Sequence, residues 1–244
     1  MLSMAEENRK IGVDRTIVIG DIHGCFREFT GLLSKLQYIG EQDRLILIGD
    51  YIDRGPDSCK VVQFIRYLEL AFGKEKVIAL KGNHEDLLLD YMTSTEPKER
   101  CLAKYDWMRN GAAATIDSWE ECNENIESYL EWFKSLRLFY ETSDFYIVHA
   151  GVNPMYPLDN QKSEDRLWIR DSFINSHRDF GKTIVFGHTM IKGFSSKNEV
   201  CKLSGNKIAI DTGCVVGGKL SAIILPSLEV VDVPGRQINS KEAM

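Results

Sequence analysis

The stretch that decides the reading is Leu45-Ile46-Leu47-Ile48-Gly49-Asp50-Tyr51-Ile52-Asp53-Arg54-Gly55. Consecutive apolar residues read as a strand buried on both faces, because a half-buried strand alternates apolar with polar. The run stops at a glycine, and Asp50, Asp53 and Arg54 follow at once. Charged groups at the end of a buried strand need water, a partner or a metal.

Working outward, the same event recurs. The strand Thr16 to Ile19 ends in Gly20-Asp21-Ile22-His23-Gly24, and Val77 to Leu80 leads to Gly82-Asn83-His84-Glu85. Phe145 to Val148 ends in His149-Ala150-Gly151, and Thr183 to Phe186 in Gly187-His188-Thr189. Ligands of open α/β sheets bind at the carboxyl ends of strands, and glycine lets backbone approach a bound group closely. Asp, Asn and His form a mixed oxygen and nitrogen donor set, which suits a transition metal better than calcium. Of the five histidines only His177, in a Ser-His-Arg context, lies outside these strand ends and reads as surface. Each piece alone has an ordinary reading. Asn83 could cap a helix, Arg54 could neutralise a neighbour, and a single strand-end histidine is commonplace. Their repetition at matching positions is not.

Between these ends, Phe26, Phe29, Leu32, Leu33 and Leu36 recur at helical spacing, and Ser58 to Leu70 and Glu85 to Met92 read as further helices. The opening half is therefore β-α-β-α-β-α, an α/β pattern. Residues 97–137 read as wholly helical, an insertion. Strands at Val200 to Leu203, Lys207 to Ile210, Ser221 to Leu225 and Glu229 to Val233, with Gly-rich turns, predict a second sheet in the closing third. The expected fold class is α/β, a two-sheet sandwich flanked by helices. One domain spans 15–235 between flexible tails at 1–14 and 236–244.

The chain has 244 residues, 43% hydrophobic and 27% charged, with net charge −6. That acidity argues against general nucleic-acid binding, which needs clustered cations. No apolar run reaches the ~20 residues that span a bilayer, and the opening MLSMAEENRK lacks the apolar centre of an export signal. Six scattered cysteines without a C-x-x-C pair suit free thiols in a reducing cytoplasm.

Together GDIHG, GDYIDRG, GNHE, HAG and GHT resemble, in order, the motifs of the phosphoprotein phosphatases within the calcineurin-like metallophosphoesterases. The resemblance covers Thr16 to Leu225 and implies the metallophosphoesterase fold and a centre of two divalent ions, manganese, iron or zinc. It implies Asp21 and His23 on the first metal, Asn83, His149 and His188 on the second, and Asp50 bridging both. It makes His84 the general acid, with Asp53 bonded to it. Arg54, Arg170 and Asn83 would contact the substrate phosphate, with Arg166 the fallback for Arg170. A hydroxide shared by the metals would attack phosphorus, so no protein nucleophile is required.

Within that family the intact Asp-Arg-Gly and Gly-Asn-His-Glu motifs favour a Ser/Thr protein phosphatase acting on phosphoproteins. The closing segment Asp211 to Leu220 instead resembles symmetrical dinucleoside tetraphosphate hydrolases, and a related branch acts on RNA ends. An inactive binding module would not keep every ligand and the acid. Substrate choice is expected in residues 96–138, with Trp107, Arg109, Asn110 and Gly111 lining the cleft or Trp107 and Trp119 packing helices. Oligomeric state is not read from the sequence.

Overall fold

The computed structural model describes residues 1–235. Two five-stranded sheets face each other. The first has β1 (Arg15–Ile19), β2 (Asp43–Leu47) and β3 (Val77–Ala79) in parallel, extended by β9 (Lys219–Leu225) and β10 (Glu229–Pro234) in the order β10-β9-β1-β2-β3. The second has β5 (Phe145–Val148), β6 (Thr183–Phe186) and β8 (Lys207–Ala209) in parallel, with β4 (Phe139–Glu141) and β7 (Cys201–Leu203) as antiparallel edges.

The continuous apolar runs now have their cause. Successive side chains point to opposite faces of a strand. Val18, Ile46, Ile48 and Ile78 point inward and meet Phe145, Ile147, Val185 and Ile208 of the second sheet. Ile17, Ile19, Leu45 and Leu47 point outward beneath α2 (Phe26–Lys35) and α3 (Ser58–Phe72), against Phe29, Leu32, Val61 and Ile65. Beneath the outer face of the second sheet, Tyr146, Val148, Ile184 and Phe186 pack on Phe173 of α9 (Asp171–Ile174). The remaining helices are α4 (Asn83–Thr93), α5 (Pro97–Arg109), α6 (Ala112–Glu121), α7 (Leu130–Ser135) and α8 (Ser163–Trp168). The helical insertion is therefore α5, α6 and α7, with a short 3-10 turn before the last.

Two expectations are corrected. The second sheet takes β7 and β8 of the closing third but not all of its strands. The last two, β9 and β10, return to the first sheet, because Ile224 and Ile223 pair antiparallel with Ile17 and Val18. Nor are residues 1–14 a flexible tail. Residues Met4–Ile11 form helix α1, opened by a reciprocal Ser3–Glu6 capping box and closed by left-handed Gly12. Met4 is fully buried among the inner-face residues, and the Thr16 hydroxyl donates to Asn8 at 2.7 Å. The tail expected at 236–244 lies outside the described residues. No described helix is long and apolar enough to cross a membrane.

Candidate metal centre

The strand ends converge as the pattern required. The loop after β1 carries Asp21 and His23, the loop after β2 carries Asp50, Asp53 and Arg54, and α4 opens with Asn83 and His84. His149 follows β5 and His188 follows β6. Holding them costs backbone strain. His23, Asp50, Asp53, Arg54 and His188 all have positive φ, between 44° and 70°. Non-glycine residues held there cost roughly 1–3 kcal/mol each and persist only where surroundings fix them. Gly49, at φ 108°, permits one close approach, since a Cβ there would collide with the Gly82 backbone.

Glu85 supplies much of that fixing. Its buried carboxylate accepts the backbone N–H groups of Asp50 at 2.9 Å, Tyr51 at 2.8 Å and Gly82 at 2.9 Å. Burial, then the Asp50 charge, push its pKa up to about 7. Gly82, not Asn83, is the cap of α4, so Asn83 is free to point into the centre. The helix N-terminus faces Asp50, whose Oδ1 accepts the His84 N–H at 3.2 Å.

Two clusters of donor groups share Asp50: one with His23 and His84, the other with His149 and His188. In the second, His149 Nε2 lies 3.2 Å from His188 Nδ1, 2.9 Å from Asn83 Oδ1 and 3.4 Å from Asp50 Oδ1. His188 Nδ1 lies 2.8 Å from Asn83 Oδ1. Such spacings are those between atoms sharing one ion at about 2.0–2.2 Å. His149 Nδ1 donates to the Ile48 carbonyl at 3.0 Å, which aims the Nε2 lone pair into the cluster. His23 does the same through Ile52, at 2.8 Å. Burial, then neighbouring His149, drive His188 down to about 2, and burial, then His84, drive His23 to about 4. Both rings are thus neutral, the form that ligates metal.

Asp21 Oδ1 is buried without a hydrogen-bond partner, as is His188 Nε2. Burial, Asp211 and Asp50 raise the Asp21 pKa well above the ordinary value. A cation would relieve both the orphaned oxygen and the crowded carboxylates. One contact runs the other way: Arg54 Nη1 donates to His23 Nε2 at 3.0 Å and so holds the lone pair a first metal needs. The donor set fits divalent ions on balance, and most clearly on the Asn83, His149 and His188 side.

Beside the clusters, His84 Nδ1 meets Asp53 Oδ2 at 2.7 Å. Burial pushes the ring down, but the Asp50 charge and the Asp53 bond outweigh it, so the His84 pKa is raised. Asp53 is itself held from the insertion. Trp107 Nε1 donates to both carboxylate oxygens at 3.1 Å, and Thr115 Oγ1 donates to Oδ1 at 2.6 Å. Trp107 is therefore a buried support of Asp53 and not a cleft-lining group. Gly111 supports the same loop, its carbonyl accepting the Arg54 N–H at 3.1 Å.

Arg54 and Arg170 are both exposed at the mouth. Arg170 Nη1 donates to the His188 carbonyl at 3.2 Å, whereas Arg166 is buried and donates to Tyr146 Oη at 2.9 Å. His177 is exposed and apart from these residues. Sequence reasoning gave no individual role at the site to Thr115, Glu85 or Asp211, although Glu85 and Asp211 stood in quoted motifs. Asp211 had a signal, since Lys207 to Ile210 is another apolar strand ending in Asp beside glycine. It is buried, and burial above all lifts its pKa to about 6. A cavity of about 570 Å³ beside Tyr67, Leu70 and Trp132 contains none of these groups.

Residues 14–218 match the calcineurin-like phosphoesterase family. An Anoxybacillus flavithermus protein named bis(5'-nucleosyl)-tetraphosphatase PrpE [asymmetrical] is 31% identical, over 89% of this chain and 93% of its own. The like-named Bacillus mycoides protein is 28% identical over the same shares. Among solved structures, one described as a candidate diadenosine tetraphosphatase superposes with TM-score 0.66 at 23% identity, covering 91% of this chain and 94% of that one. A Saccharomyces cerevisiae protein serine/threonine phosphatase superposes with TM-score 0.56 at 17% identity, over 96% and 82%. These matches agree with two facing sheets whose strand ends gather Asp, Asn and His, and the chain belongs to the calcineurin-like phosphoesterase family.

Proposed function

We propose that the chain cleaves the phosphoanhydride chain of a dinucleoside polyphosphate, using two divalent ions, manganese, iron or zinc, in the cytoplasm. The observation that carries the substrate is the 31% identity, over 89% of the chain, to a protein named as an asymmetrical tetraphosphatase. Asp21, His23 and Asp50 would hold one ion, and Asp50, Asn83, His149 and His188 the other. When bound, such a pair supplies an activated water and neutralises charge at phosphorus. Arg54 and Arg170 pair with phosphate oxygens, which planar guanidinium groups match two at a time. Asn83, at the N-terminus of α4, would also meet a phosphate oxygen. Asp53 keeps the His84 ring oriented and protonated, and His84 passes its proton to the departing oxygen.

The second reading is a Ser/Thr protein phosphatase, favoured by the His84–Asp53 bond of 2.7 Å. An alkoxide leaving group needs an acid far more than a weakly basic nucleotide phosphate does. The test pairs diadenosine tetraphosphate with a phosphoserine peptide, using manganese-loaded protein and His84→Asn. The expected products from the dinucleotide are the nucleoside mono- and triphosphate. Nucleoside diphosphates alone would restore the symmetrical reading. Faster phosphate release from the peptide, cut roughly 10²–10⁴-fold by His84→Asn, would favour the second.

A further inference from the structure

Between α4, α7 and α8 lies a cavity of about 440 Å³ whose walls include Lys81, Asp86, Leu136, Glu164 and Trp168. Trp168 links it to the metal centre. The Trp168 ring packs edge-on against the His188 ring, with centroids 6.0 Å apart. No other Trp, Tyr or Phe ring stacks on a candidate ligand among the described residues. Two positions along the chain from Trp168, Arg170 donates to the His188 carbonyl. An aromatic wall, a guanidinium and the metal centre thus adjoin along one surface.

We propose that this cavity is a nucleoside subsite. The base stacks on Trp168 while the polyphosphate runs past Arg170 to the metal centre, an assignment that rests on the dinucleotide reading above. The walls suit a purine. An indole face takes any base, and stacking is sequence-tolerant. Among the described residues Glu164 makes no ion pair, so its carboxylate is available to an exocyclic amino group. Lys81, 3.7 Å from Asp86, offers a donor to ring nitrogens or ribose. The side chains nearest Gly213, beyond His188 and Thr189 along the chain, are those of Val216 and Met190, both exposed and neither a ring. The proposed subsite thus gives a stacking wall to one nucleoside. A one-ended grip presents an outer phosphorus to the metals and yields unequal nucleotides.

Fluorescence isolates this residue. Trp168 is 36% exposed, while Trp107, Trp119 and Trp132 are 2%, 3% and 8% exposed. Adenosine monophosphate, added to the full chain without metal, should quench the emission, and Trp168→Phe should abolish the quench. On diadenosine tetraphosphate, Trp168→Ala should lose about tenfold or more in kcat/KM beyond its loss on inorganic tripolyphosphate. Trp168→Phe, which keeps a ring, should recover most of that difference. Equal losses on both substrates would show that Trp168 merely supports His188, and would overturn the subsite while the dinucleotide reading stands. Quenching by an aromatic phosphopeptide but not by adenosine monophosphate would also overturn it. If the wild type cleaves no dinucleotide, the substrate reading fails, and the adenosine monophosphate quench alone decides the subsite.

Discussion

On the α4 side of Asp50, both carboxylate oxygens of Asp53 are paired within the protein, to His84, Trp107 and Thr115. On the opposite side, Asp21 Oδ1 is buried with no partner, and His149 Nε2 and His188 Nδ1 crowd to 3.2 Å. The first region is complete as protein. The second leaves a buried oxygen unpaired and its donor atoms crowded, an arrangement that suits a cation. A group that moves a proton must keep its geometry through turnover, so its bonds are supplied by fixed neighbours. A group that holds a cation keeps lone pairs aimed at a common point, at a cost in stability that the ion relieves.

That contrast predicts where each side breaks. Asp50→Asn should have the largest effect, because Asp50 faces both clusters. Bound metal and turnover should both vanish, and added manganese should no longer raise Tm, as a ligand stabilises only a chain that binds it. A variant with full metal content would remove Asp50 from the bridging position. Asp53→Asn tests the completed side. Asp53 helps hold the His84 pKa above its ordinary value. On the proposed mechanism His84 acts while protonated, so activity should be lost as pH rises through that raised value. Removing the Asp53 charge lowers the His84 pKa, and the basic limb of the kcat profile on an alkoxide-leaving substrate should move to lower pH. Metal content should stay intact. An unmoved limb would assign the proton to another group. Trp107→Phe should have the smallest effect. It deletes a bond to a buried charge but leaves Thr115 in place. A loss of about 1–3 kcal/mol in stability is expected, read as a few degrees of Tm, with metal content unchanged. Loss of metal in this variant would mean that the two sides are not independent.

Much of the site was legible because its chemistry is local. Each ligand-bearing loop is an apolar strand, a glycine and a polar residue, and buried polar groups need partners. The same rule covered Asp211, which was read only as part of the closing segment and not as a member of the site, because it lies after a strand assigned to the closing sheet. Thr115 carried no signal, since a threonine inside a helix looks alike whether it faces solvent or Asp53. Trp107 was visible as an aromatic, but its N–H acceptor lies 54 residues away in sequence.

The sequence by itself determined the described strands other than β4, the order of the site loops and the donor set, because period-two burial and glycine-polar punctuation are properties of adjacent residues. Tertiary structure alone decided that β9 and β10 rejoin the first sheet, that α1 docks through Met4, and that the insertion reaches back to hold Asp53. Those choices depend on which distant apolar faces and hydrogen-bond donors are complementary in space, and no short window of residues contains both partners.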